Sequence, residues 1–150
     1  ASAKAVMYTL ALQPTSTTQT ITPDGDVEAT DVIGVPTPGG GSGIYARVAS
    51  ASDAEYAQFS DGGVLEVSLS DPVEPSSTAD HEVHYRARYS GGASSGSVTV
   101  RLMQGAVQIA SWPQALTGSF ADYSHTLTGL EAGAITDYDD LRVEITAETA

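Results

Sequence analysis

The chain has no cysteine among its 150 residues. That excludes a disulfide framework and any thiolate metal site, and it fits a reducing cytoplasm as the place of synthesis. Positive charge is almost as scarce: six Lys and Arg stand against 19 Asp and Glu, for a net charge of −13. A surface this acidic repels phosphate backbones and anionic lipid, so neither nucleic acid nor membrane is an expected partner. No run approaches the roughly 20 apolar residues that span a bilayer. Ala1 to Leu12 also lacks the pattern of a signal peptide.

What is present is alternation. Leu65, Val67 and Leu69 share one face of Val64 to Leu69. Val83, Tyr85, Ala87 and Tyr89 do the same between Glu82 and Tyr89, with Glu82, His84, Arg86 and Arg88 on the other face. Ser97 to Met103 and Leu141 to Thr146 repeat the pattern. Strands with one apolar and one polar face belong to antiparallel sheets packed on one side. The arginines, Arg47, Arg86, Arg88, Arg101 and Arg142, all fall in strand-like runs. Cross-strand pairing with acids such as Glu66, Glu82 and Glu144 is expected.

Turn chemistry punctuates the runs. Asp61-Gly62-Gly63 precedes the first and Ser70-Asp71-Pro72 follows it, while Gln104-Gly105-Ala106 reads as a hairpin. The next strand, Val107 to Trp112, is expected to stop at Pro113, and another runs from about Phe120 to Leu127. Thr128 and Glu131 have capping-box spacing, which predicts one short helix near 129–137. The N-terminal third is less regular. Residues 1–14 read as an arm or a first strand, Thr15 to Thr22 as an edge strand, Val32 to Val35 as too short to assign, and Pro36 to Gly43 as a loop. The expectation is a single all-β domain over residues 1–150: an antiparallel two-sheet sandwich, jelly-roll-like, of about nine or ten short strands.

Candidate chemistry is thin. His81 and His84 point to opposite faces of a straight strand, and His125 lies far off in sequence, so no shared metal is predicted. Asp24-Gly25-Asp26 lies in a predicted turn. Asp137, Asp139 and Asp140 form the better candidate cation loop, although neither cluster matches a twelve-residue calcium loop. Aspartate is also common in turns for its bonds to nearby amides. Nucleophile-elbow, zinc-protease and phosphate-loop motifs are absent, and no catalytic residue or cofactor is expected. Trp112 and the tyrosines offer a sugar-platform alternative, against which Tyr85 and Tyr89 fall on an apolar face.

Five ordered segments carry a resemblance: Leu12-Gln13-Pro14-Thr15; Gly43-Ile44-Tyr45-Ala46 with Ser52-Asp53-Ala54-Glu55-Tyr56; Leu65 through Pro72; His81 through Arg88; and Thr136-Asp137-Tyr138-Asp139-Asp140-Leu141-Arg142-Val143. Together they resemble phage and prophage virion-associated β-sandwich proteins. The resemblance implies a tailed-phage structural protein, first of all a capsid decoration or head-stabilising protein and not an enzyme. It would sit on the capsid exterior after synthesis in the host cytoplasm, contacting the major capsid protein and neighbouring copies of itself as a homo-oligomer such as a trimer. Ala1, Ser2, Ala3 and Lys4 are the candidate partner-binding residues, as an arm that adds a strand to a neighbour. A minor tail or fibre component, and a module binding host glycans, are the alternatives.

Overall fold

The structure, a computed structural model, describes residues 2–12, 19–36, 43–50, 52–75, 77–90 and 96–149, with the side chains of 2–12 and 149 left aside. Nine strands run antiparallel: β1 (Ser2–Leu12), β2 (Gln19–Ile21), β3 (Pro23–Val35), β4 (Tyr56–Leu69), β5 (Glu82–Ser90), β6 (Gly96–Gln104), β7 (Val107–Leu116), β8 (Ala121–Thr126) and β9 (Leu141–Thr149). Hydrogen-bonded neighbours follow the order β7-β6-β9-β4-β1-β5-β8, with β2 beside β1 and β3 beside β4.

That path folds into two layers at one place. Val64 to Ser68 of β4 pair with β9, whereas Ala57 to Phe59 pair with β1. β3 follows β4 through the same bend, with Thr30 opposite Val64 and Val32 opposite Phe59. One sheet therefore holds β7, β6, β9, the second half of β4 and the first half of β3. The other holds β8, β5, β1 and the remaining halves, with β2 at its side. Bulged strands that switch sheets make the corners of such sandwiches. Here the corner needs unusual backbone. Asp31 has φ 52° and Gly62 φ 75°, a region open to Gly and tolerated by Asp.

Asp61-Gly62-Gly63 is thus not a turn before a strand. It is a bend inside one 14-residue strand, and the strand's first half lies beyond it. β3 likewise absorbs both Asp24-Gly25-Asp26 and Val32 to Val35. A second correction concerns Pro113. β7 runs through it to Leu116, with Pro113 opposite Thr99, because β7 is an edge strand, where a proline is tolerated. The Gln104–Val107 hairpin forms around Gly105, at φ 55°. The predicted capping box is present, but helix α2 covers only Gly129–Gly133, and a separate 3-10 turn holds Tyr138–Asp140. A short helix α1, Tyr45–Val48, was not expected. Thr15 to Thr18, most of Pro36 to Gly43, and Ala1, Gln13 and Pro14 lie outside the described residues.

The alternating faces meet in one core. Val98, Val100 and Leu102 of β6, Leu141, Val143 and Ile145 of β9, and Leu65, Val67 and Leu69 of β4 face Ala57, Phe59, Val83, Tyr85, Ala87 and Tyr89. Each fully buried aliphatic or aromatic side chain contributes about 1.5–3 kcal/mol. Arg86, Arg88, Arg101 and Arg142 lie on the outer faces of strands, as expected, but Arg47 does not belong to a strand: it sits in α1 and pairs with Glu55 at 2.9 Å. Arg101 pairs with Glu144, and Arg142 with Glu66 at 3.5 Å and Asp140 at 3.0 Å. Glu82 pairs instead with His84 and Thr126.

Candidate functional site

Side chains able to do chemistry are few, so each can be followed to its place. His81 is fully buried ahead of β5. Its Nδ1 lies 3.0 Å from the Ala79 carbonyl and its Nε2 2.9 Å from the Tyr138 hydroxyl. A carbonyl only accepts, so Nδ1 carries the proton and Nε2 accepts from Tyr138. Both nitrogens are occupied in joining β5 to the turn before β9. Burial, with Glu74 adding to it, raises the Tyr138 phenol above its ordinary range, which keeps it a donor. His84, on the outer face, lies 2.8 Å from Glu82.

His125 occupies a different setting. β7 and β8 each form one edge of their sheet and are joined by residues 117–120. On their inward positions, Trp112 and His125 stack nearly parallel, with centroids 5.1 Å apart and planes at 5°. His125 Nε2 lies 2.9 Å from the Tyr85 hydroxyl, and Tyr85 stacks on its register partner Tyr123 at 5.4 Å. Tyr123 in turn accepts the Thr117 N–H at 3.3 Å. Four rings from β7, β8 and β5 thus close one open side of the sandwich. Burial lowers the His125 pKa. It also raises the Tyr85 phenol far above its ordinary value, with Tyr123 as a lesser cause. No residue spacing announced this cluster. A usable signal exists in retrospect: Trp112 and His125 each lie four residues from the strand end that meets the connecting loop.

The acidic candidates are drawn into the scaffold. Asp26 accepts the N–H groups of Ile44 at 2.7 Å and Tyr45 at 2.6 Å, capping α1 from across the hairpin. Asp24 accepts from Ser68 Oγ at 2.6 Å. Of the predicted cation loop, Asp137 caps the 3-10 turn through the Asp139 N–H and Asp140 binds Arg142. Asp137 and Asp139 do share a recess with Glu74, Thr136 and Tyr138, of about 120 Å³ and open to solvent. Small-molecule sites are usually about 300–1,000 Å³. Among the described residues, no three His, Asp or Glu side chains converge to hold a metal ion.

The glycan-platform residues are placed too. Tyr85 and Tyr89 are buried, and one face of Trp112 is covered by His125. On the outer face of β5, Arg86 holds Asp53 through two bonds of 2.7 and 2.9 Å, and Asp122 at 3.1 Å. The Arg86 bond holds the Asp53 carboxyl below its usual range. Arg88 lies over the Phe120 ring at 4.8 Å.

Of the N-terminal candidates, Ala1 lies outside the described residues. Ser2, Ala3 and Lys4 open β1, where Ala3 sits between Phe59 and Tyr89 and Lys4 between Gln58 and Arg88. The backbone of Ala3 and Lys4 is paired on both sides within the chain. A strand offered to a neighbour would first have to leave this sheet. No helix among the described residues is long and apolar enough to cross a membrane. A scan of family models and searches of curated proteins and of solved structures gave no match to this chain.

Proposed function

We propose that this chain is a virion structural protein, a decoration or head-stabilising protein on the outer surface of a tailed-phage capsid. It acts by packing against other proteins and not by catalysis. One observation carries the reading: among the described residues, His81, His125, Asp24, Asp26, Asp137 and Asp140 are employed in holding the fold. His81 and Tyr138 tie strands together, His125 closes the sandwich, and Asp26, Asp137 and Asp140 cap turns or pair with arginine. Polar strand faces remain at the surface, with scattered apolar side chains, Val27, Ile33, Val73, Val107 and Leu130.

The resemblance of the ordered segments to virion-associated sandwiches supplies the location. The net charge of −13 is compatible with a place outside the shell, away from packaged DNA. In this role the protein bridges neighbouring copies of the major capsid protein, with its own copies alongside, as a trimer or another closed ring. Each contact need contribute little, because many copies act in parallel against internal pressure. Quantitative mass spectrometry of purified virions tests it. Hundreds of copies per particle are expected, a handful would place the chain in the tail or a fibre, and none would end the virion reading.

A further inference from the structure

The seam where β7 meets β8 has a property that the packing role does not require. Its two sheets touch there through Trp112 and His125, one inward residue from each edge strand. We propose that this contact is an acid-operated latch: a proton on His125 breaks the stack and frees the β7–β8 edge of the sandwich.

The argument rests on what surrounds the imidazole. From β7 it faces Trp112, and that strand, Val107 to Leu116, has no charged residue. From β5 it meets Tyr85 at hydrogen-bond distance, with Val83 as its register partner. On β8 itself the inward neighbour is Tyr123. The charged groups of these strands are engaged elsewhere: Asp122 with Arg86, Glu82 with His84 and Thr126, and Arg88 over Phe120. Glu131, on the α2 helix beside β7, is bound to its own cap residue Thr128. Among the described residues, the titratable groups in contact with His125 or flanking it on these strands are therefore the phenols of Tyr85 and Tyr123. Neither becomes an anion in acid. An imidazolium placed there is desolvated without a carboxylate to compensate it. Attraction of a cation to the Trp112 ring opposes the opening, but the ring alone does not replace lost water. The burial that lowers the His125 pKa has the same direction.

The consequence is confined to one edge. β6, β9 and β4 lie deeper in their sheet and are bonded on both sides, so the core persists while the seam opens. Trp112 is the chain's single tryptophan and reports on its own contact. The experiment titrates tryptophan fluorescence and near-ultraviolet circular dichroism of the full chain from pH 8 to 4. Amide hydrogen exchange is read by mass spectrometry at both ends of the range. Wild type should show one transition below the ordinary histidine value of about 6.5, with unchanged far-ultraviolet circular dichroism. After correction for the intrinsic pH dependence of exchange, β8 amides should exchange at least about tenfold faster on the acid side. H125Q should lose the transition, and H84Q should keep it. Persistence of the transition in H125Q, a His125 midpoint at or above about 6.5 by NMR, or unchanged β8 protection across the transition would each overturn the latch. None of these outcomes bears on copy number in a virion, so the latch and the packing role stand or fall separately.

Discussion

At Gly63 two carbonyl oxygens of the same hairpin crowd the α-carbon. A Cβ there would lie 2.7 Å from the Asp31 oxygen and 3.0 Å from that of Ser60. Both are backbone atoms and cannot swing aside. Gly63→Ala is expected to destabilise the fold by about 1–3 kcal/mol in a denaturant titration. Gly133 gives the contrast: nothing lies within 4 Å of its would-be Cβ, and it sits in α2. Gly133→Ala should stabilise by about 0.5–1 kcal/mol through helix propensity. Gly96 belongs with Gly63, since a Cβ there would strike the buried Tyr89 ring. The sequence marks all three positions simply as glycine, Gly63 and Gly96 beside turn-like neighbours, and only the packed neighbours separate the obligatory from the replaceable.

Among elements, α1 depends on a residue far from it. Its own N-cap, Ile44, offers no side-chain bond, and Asp26 supplies the two missing acceptors from β3. Asp26→Ala should cost about 1–2 kcal/mol and speed proteolytic cutting between Gly43 and Ser50, whereas Asp26→Asn should retain part of the effect. Four helical residues held by a carboxylate 18 positions away leave no periodic trace, so this helix was not legible. α2 was, because Thr128 and Glu131 carry both halves of their cap within one turn. The strands divide in the same manner. β5, β6 and β9 face one core along their whole length, so alternate hydrophobicity finds them. β3 and β4 change sheets midway, and residues 26 to 31 of β3 are exposed on both faces, which erases the alternation there. Pro113 misled because a proline rule for inner strands does not bind at an edge. The opposite facing of His81 and His84 was legible in their spacing, but the Trp112–His125 seam was not, since a contact between sheets has no sequence period.

For the whole molecule, the pH profile of stability combines two groups of opposite kind. Asp53 is held below its usual range by the Arg86 bond first, against a smaller desolvation effect. A carboxyl depressed in the folded state stabilises fully above its unfolded value of about 3.9, and that contribution is lost as pH falls from there through the lowered folded value. Arg86→Met should therefore flatten the acid limb of a thermal-stability profile below about pH 4, with the largest loss of melting temperature near neutrality. The lowered His125 adds a separate limb. The unfolded chain binds its proton first, so stability declines as pH falls below about 6.5 and is unaffected above it.

The path of the strands also constrains how the chain can be made. β9, the last of the described strands along the chain, lies in the middle of its sheet between β4 and β6, and the β3–β4 hairpin belongs to both sheets at once. Until β9 has cleared the ribosome, β4 and β6 each present a bare edge to the cell, and the shared hairpin cannot settle in either layer. Folding is thus expected to wait for nearly the whole of the described chain and then to proceed in one late step. A nascent chain stalled before Leu141 would be a substrate for chaperones, with no stable half to retain.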